Sequence, residues 1–294
     1  MLNIIGNDSI KQKLDKIISA NSISHAYLFS GKEGIGKKTL ATEFAKCVMC
    51  NESSDLSYCG NCESCLTFES GSDFKIIVPT KNVIKVDEIR EFCGELFLKP
   101  TKTSHKVFII DDAECMNEQA QNALLKVLEE PPLYATIILI TSNKEKLLNT
   151  IKSRVVEMNF DSLSEQEIRI ALDMNNIEYT DEAIKYSNGS YKKALDFIND
   201  DMFEIAKDVA KLLEGKDFLA VNRKFEEIKA DKNLKAGITQ ILEKTMQIFF
   251  MKFKNEKNFD YKIIEKLEET IQKIKRNANV DLALDSLMVE LCKI

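Results

Sequence analysis

Apolar positions along the first half of the chain recur in two rhythms, and the rhythm changes wherever an element ends. Ile10, Leu14, Ile17 and Ile18 recur at helical spacing behind Asn7, a candidate N-cap. Compact apolar runs at 26–29, 74–78, 107–110 and 137–140 have the length of buried strands, and 155–160 reads as a further strand. Helical patterns lie between them. One carries Leu40, Ala41, Phe44, Ala45 and Val48 on a single face. A second, over 86–98, turns Ile89, Phe92 and Leu96 inward. A third, over 117–129, is stopped by Pro131-Pro132. Strands alternating with helices imply a parallel sheet covered on both faces, with ligands beyond the carboxyl ends of its strands.

After Asp161 the strand rhythm fades. Ser164 and Glu167 have capping-box spacing for a helix over 164–175. Further helical stretches fall at 180–187 and 190–198. From residue 200 onward helix is nearly continuous, with polar breaks near Gly215-Lys216, Asp231-Lys232 and 255–258. This part reads either as one large helical domain or as a small lid plus a bundle. The second is favoured: an α/β unit over 1–161, a three-helix lid over 162–205 and an all-helical unit over 206–294. There is no internal repeat and no low-complexity segment.

Composition narrows the class. With 44% hydrophobic and 30% charged residues the balance is that of a globular protein, and four Pro among 294 residues favour long helices and short connections. The net charge of −6 argues against a chain that holds DNA by itself, and so against reading it as a zinc-dependent nucleic-acid adaptor. No signal pattern opens the sequence at Met1-Leu2-Asn3-Ile4-Ile5-Gly6, and no apolar run reaches the ~20 residues of a membrane span. The expectation is a cytoplasmic protein without a membrane partner, whose eight cysteines are thiols or metal ligands.

Chemistry concentrates in a few motifs. Gly31-Lys32-Glu33-Gly34-Ile35-Gly36-Lys37-Lys38-Thr39 follows G-x-x-x-x-G-K-[ST] except at its last position. Gly31, Gly34 and Gly36 let backbone N–H groups turn in on a phosphate, and Lys37 would reach its oxygens. Lys38 stands where a hydroxyl would hold Mg²⁺, and Thr39 is turned about 100° away. Asp111, at the end of an apolar strand, is placed to hold Mg²⁺; Asp112 is one methylene shorter than the Glu that polarises water in many hydrolysing enzymes. Taken alone, the pair reads competitively as a helix cap; with the phosphate loop upstream, a relic or weakened metal site is favoured. Glu114 reads as a helix-start charge. Thr141 can sense phosphate or simply cap a turn. Arg154 reads on its own as a surface cation, Lys192 can face nucleotide from the lid or be a surface lysine, and His25 and His105 have no ligand spacing.

Cys50-x8-Cys59-x2-Cys62-x2-Cys65 is a ligand set for a closed tetrahedral Zn²⁺ site, in a polar segment too poor in apolar residues to fold without one. Cys47, one turn before Cys50, is a competing ligand. Cys93, Cys115 and Cys292 stand alone and read as core residues.

The run Asn122-Ala123-Leu124-Leu125-Lys126-Val127-Leu128-Glu129-Glu130-Pro131-Pro132 resembles the clamp-loader branch of the AAA+ ATPases. So do His25-Ala26-Tyr27-Leu28-Phe29-Ser30-Gly31, the four-cysteine insertion, and Ser153-Arg154-Val155, whose third residue departs from the family's Ser-Arg-Cys. The likeness covers about residues 1–200 and is weak beyond, although Asn277-Ala278-Asn279 and the apolar helix after it resemble the family's collar. The resemblance implies a RecA-like AAA+ domain with a parallel sheet, a small helical lid and an all-α collar. Lys38 and Asp112 resemble the non-hydrolysing stator (delta-prime) subfamily rather than the hydrolysing tau/gamma type. It implies a structural zinc, ATP and Mg²⁺ weakly held or absent, and Arg154 lent in trans to a neighbouring ATP site. The implied partners are tau/gamma and delta subunits and, through them, the sliding clamp and primed DNA.

Overall fold

The computed structural model describes residues 4–228, 234–255 and 261–293. The break expected at Asp231-Lys232, residues 256–258 of the one expected at 255–258, and residues 1–3 lie outside the described residues; Asn255 ends a helix. The chain divides into two compact units, Met1–Ala194 and Leu195–Ile294.

The first unit is built on five parallel strands: β1 (Ala26–Ser30), β2 (Phe74–Ile77), β3 (Lys106–Ile110), β4 (Ala135–Thr141) and β5 (Val156–Asn159). They lie in the order β2-β3-β4-β1-β5. The three central strands are buried along their whole length, which is why they read as unbroken apolar runs. The run at 74–78 was expected to be buried, but β2 is only half-buried because it forms one edge of the sheet, and sheet order is not a local property of sequence.

Successive side chains leave a strand on opposite faces, so each face has its own core. On one, α1 (Asp8–Ser19) and α2 (Lys37–Met49) pack Leu14, Leu40 and Phe44 against Tyr27, Phe29 and Ile109. On the other, α4 (Val86–Leu96) and α5 (Glu118–Glu129) pack Ile89, Phe92 and Leu124 against Leu28, Phe108 and Ile137. The short α3 (Glu63–Leu66) follows α2, and α6 (Asn149–Lys152) precedes β5.

Asn7 occupies the N-cap position of α1 but does not cap it: its backbone is left-handed, at φ 52°. Its side chain instead pairs with the backbone of Asp161, accepting from N–H at 2.8 Å and donating to C=O at 3.2 Å. After the sheet come α7 (Glu165–Met174), α8 (Asp181–Ser187) and α9 (Tyr191–Ile198). Ser164 and Glu167 form the expected capping box: Glu167 N–H donates to Ser164 Oγ at 3.2 Å and Ser164 N–H to Glu167 Oε2 at 2.7 Å.

The second unit is helical: α10 (Asp201–Glu214), α11 (Phe218–Ile228), α12 (Leu234–Asn255), α13 (Lys262–Lys275) and α14 (Val280–Leu291). The helices α10, α12, α13 and α14 pack in sequence around Phe203, Phe249, Leu267 and Leu287. Asn279 caps α14 by accepting from Leu282 N–H at 3.1 Å. Cys292, expected in the core, is exposed past the end of this helix, where no packing face continues; Cys93 and Cys115 do pack against the core of the first unit.

Candidate functional site

Strand order brings three chain segments together at one end of the sheet. β1 lies beside β4, with Ser30 opposite Thr141, and β3 lies beyond β4. The loop after β1, the Asp111–Glu114 segment after β3 and the Thr141–Asn143 turn after β4 therefore converge beyond the carboxyl ends of the strands.

The loop is shaped by its glycines. Gly36 has φ 92° at the start of α2, a backbone state that side chains disfavour. At Gly34, φ 75°, a Cβ would run into Ser190 and Lys192 at the start of α9. Lys37 is only 7% exposed, and its ammonium donates to the carbonyls of Gly31 at 2.6 Å and Lys32 at 2.5 Å. Burial pulls its pKa down, against the opposing pull of Glu114, Asp112, Asp111 and Glu33.

Lys38 Nζ lies 3.1 Å from Asp111 Oδ2. The carboxylate expected to hold Mg²⁺ already has a cation on it, and the adjoining position offers an ammonium where the ion needs an oxygen. The residues present do not fit a magnesium held in the usual P-loop manner. Thr39, the nearest hydroxyl in sequence, instead lines a neighbouring cavity.

Asp112 does not cap a helix through its side chain. It is left-handed, φ 48°, and its pKa is raised by burial and then by Asp111 and Glu114. Glu114 is not a free helix-start charge. Its Oε1 accepts from Ser142 N–H at 2.9 Å and from the Ser142 hydroxyl, while its Oε2 is buried without a hydrogen-bond partner. Burial works against its ionised form, but the bonds from Ser142 and Thr141 hold its pKa below the usual value. Thr141 Oγ1 accepts from Asn143 N–H at 3.0 Å and so also caps the turn. Lys192 reaches the loop, its Nζ 2.7 Å from Glu33 Oε1 and its N–H on Gly34 C=O at 3.2 Å.

Beside the loop is a cavity of about 250 Å³. Ile4, Ile35, Leu163, Met174 and Tyr191 give it apolar walls, and Thr39 and Asn175 give it polar ones. Asn175 Nδ2 donates to Ala171 C=O at 2.7 Å and to Tyr191 Oη at 3.2 Å. Apart from Ile35 and Thr39 of the phosphate loop, these wall residues carry no motif, and the hydrophobicity of Ile4, Leu163, Met174 and Tyr191 could not be told in the sequence from core.

Arg154 stands apart from this cluster. It follows α6, pairs with Glu129 Oε1 at 2.9 Å and donates to Thr150 C=O at 2.8 Å. Glu129 belongs to the run that carried the family resemblance, and Val155 packs on the core beside it.

The four cysteines form a second site. Their sulfurs all lie within 4.8 Å of one another, with Cys50–Cys59 at 3.7 Å and Cys50–Cys62 and Cys59–Cys65 at 3.9 Å. Zn–S bonds of about 2.3 Å in a tetrahedron put sulfurs about 3.8 Å apart, so the set fits Zn²⁺. N–H groups of Cys59, Asn61 and Cys62 point at the sulfurs at 3.3–3.4 Å. Although burial opposes it, N–H donors from Cys65 and Asn51 hold the Cys62 thiol down to about 6. Cys47 is not in the cluster: it is buried in α2, and burial pushes its thiol up to about 12.

A family model described as DNA polymerase III, delta subunit, matches residues 6–164. DNA polymerase III subunit gamma of Buchnera aphidicola subsp. Schizaphis graminum is 33% identical over 230 residues, 75% of this chain and 63% of that protein. DNA polymerase III subunit tau/gamma of Haemophilus influenzae is 34% identical over 202 residues, 66% of this chain and 29% of that one. For Escherichia coli DNA polymerase III subunit tau the figures are 32% over 172 residues, 58% and 27%. The chain thus spans from 27% to 63% of the length of these relatives. A crystal structure of a DNA polymerase III gamma subunit-related protein of Thermotoga maritima superposes with a TM-score of 0.51 at 19% identity, covering 97% of both chains, and bears on the fold alone.

Proposed function

Because the chain belongs to the DNA polymerase III delta-subunit family of AAA+ clamp-loader proteins, we propose that it is the stator, or delta-prime, subunit of a bacterial clamp loader. In this reading it works in the cytoplasm with tau/gamma and delta subunits. With them it helps place the sliding clamp on primed DNA, hydrolysing little or no ATP of its own. The observation that carries the reading is the Lys38–Asp111 pair, which gives the strand-end carboxylate a built-in counterion. Asp112 is one methylene shorter than the usual Glu, which makes it a poor candidate to reach and orient an attacking water. Among the described residues no helix is long and apolar enough to cross a membrane, which is consistent with this role.

Arg154 supplies the productive chemistry. Its planar guanidinium, now on Glu129, would move to the γ-phosphate of a neighbouring subunit's ATP and stabilise charge developing there. Zn²⁺ on Cys50, Cys59, Cys62 and Cys65 would close the segment between α2 and β2 as a structural staple. The lid would be 162–205 and the collar 206–294.

Replacing Arg154 with Ala should leave the chain folded and assembled but slow hydrolysis at the adjoining site by roughly 10³–10⁵-fold. Unchanged turnover by the reconstituted loader would reject this role. The relatives named gamma or tau favour a second reading, an active ATPase subunit. Steady Mg²⁺-dependent turnover by the purified chain, lost in Lys37→Ala, would select it.

A further inference from the structure

We propose that Lys38 replaces the metal: the site takes a nucleoside di- or triphosphate in its magnesium-free form, with the Lys38 ammonium as a tethered cation. The inference goes beyond the reading above, which concerns turnover, and does not depend on it.

The phosphate-loop frame puts residue 38 in the first turn of α2, where the side chain normally meets the metal between the β- and γ-phosphates. Lys38 reaches that region, because its Nζ is 3.1 Å from the strand-end carboxylate of Asp111. The lysine side chain is 50% exposed while that of Asp111 is 16% exposed, so the ammonium sits on the carboxylate from the solvent side. An ammonium has three donors. One engages Asp111, which leaves others for a phosphate oxygen arriving from above. A hydrated divalent ion would have to displace this cation from Asp111 and then sit beside it, at the cost of like-charge repulsion.

The rest of the site suits an anion with an apolar appendage. The N-terminus of α2 and Lys37 complete the positive surface, and Lys37 now rests on the loop carbonyls of Gly31 and Lys32. The adjoining cavity of about 250 Å³ has apolar walls beside Gly36 and Thr39. Thr39 faces that cavity, so it does not restore a metal ligand.

The test is calorimetric titration of the purified full-length chain with ADP and with ATP, each in excess Mg²⁺ and in excess EDTA. The wild-type protein should bind in EDTA at least as tightly as in Mg²⁺, because excess Mg²⁺ withdraws the metal-free nucleotide that the site takes. Lys38→Met should weaken binding in EDTA roughly 10–100-fold, the loss of one charge-assisted contact, and Lys38→Arg should retain it. Lys38→Thr should bind in Mg²⁺ and not in EDTA. No binding by the wild-type chain in either buffer, binding confined to Mg²⁺, or wild-type affinity of Lys38→Met in EDTA would each overturn the proposal. The wild-type comparison needs no variant to fold, and thermal melts without nucleotide check those that are used. Hydrolysis assayed on the same samples tests the stator reading separately: turnover in Mg²⁺ would reject that reading while EDTA-resistant binding still upheld the tethered cation.

Discussion

Asp73 is 2% exposed and charged, and nothing in the sequence marks it. Its carboxylate accepts from the backbone N–H groups of Thr101, Lys102 and Thr103 at 3.0–3.2 Å, and Lys106 Nζ lies 4.0 Å away. Burial pushes its pKa up, but these donors outweigh burial and hold it below the usual value. A carboxyl whose folded pKa is depressed contributes stability above its unfolded pKa of about 3.9, and that contribution is lost as pH falls through the folded value. Asp73→Asn should therefore cost about 2–3 kcal/mol at neutral pH, read from urea unfolding, with the gap to wild type closing in acid below about pH 4. The signal was absent because the partners lie up to 30 residues away in sequence, in a loop with no motif. Lys38 is the reverse case. Its identity alone announced a missing oxygen ligand, but that it sits on Asp111 required β1 and β3 to end at the same side of the sheet.

At the level of elements, local rhythm carried most of the information. The strands at 26–30 and 106–110 and the helix at 118–129 fall within one or two residues of where their apolar runs put them, because each is specified by its own burial. What failed depended on neighbours: the exposure of β2, the diversion of Asn7 to Asp161, and the bond that Glu114 accepts from Ser142. The cysteine segment is legible for a different reason, since ligand spacing survives without secondary structure. It is tied to the neighbouring helices by Asp15 accepting from Leu56 N–H at 2.9 Å, by Ser19 Oγ donating to Ser54 C=O at 3.0 Å and by Lys46 lying 5.2 Å above the Tyr58 ring. One zinc per chain is expected by elemental analysis, and Cys59→Ser should lose it. With free zinc about 1,000-fold above its dissociation constant, the metal adds about 4 kcal/mol, which a chelator should remove. An unchanged melting temperature in chelator would reject the staple.

Across the whole molecule, the two compact units have separate cores, so heating should give two transitions. Chelation should move only the one that belongs to Met1–Ala194, whose cysteines it strips; differential scanning calorimetry reads this directly. A cut near 161 follows in sequence from the end of the strands. Met1–Ala194 nevertheless holds together as one unit, because Asn7 is bonded to Asp161, and Ser190 and Lys192 lie on the phosphate loop. That last contact has a bearing on how silent members of such families are read. Gly34 is hemmed in by α9 whether or not any phosphate ever arrives, so a lineage that abandoned nucleotides altogether would still be unable to discard it. The presence of this glycine testifies to architecture, and ligand must be inferred from Lys37, Lys38 and the cavity wall.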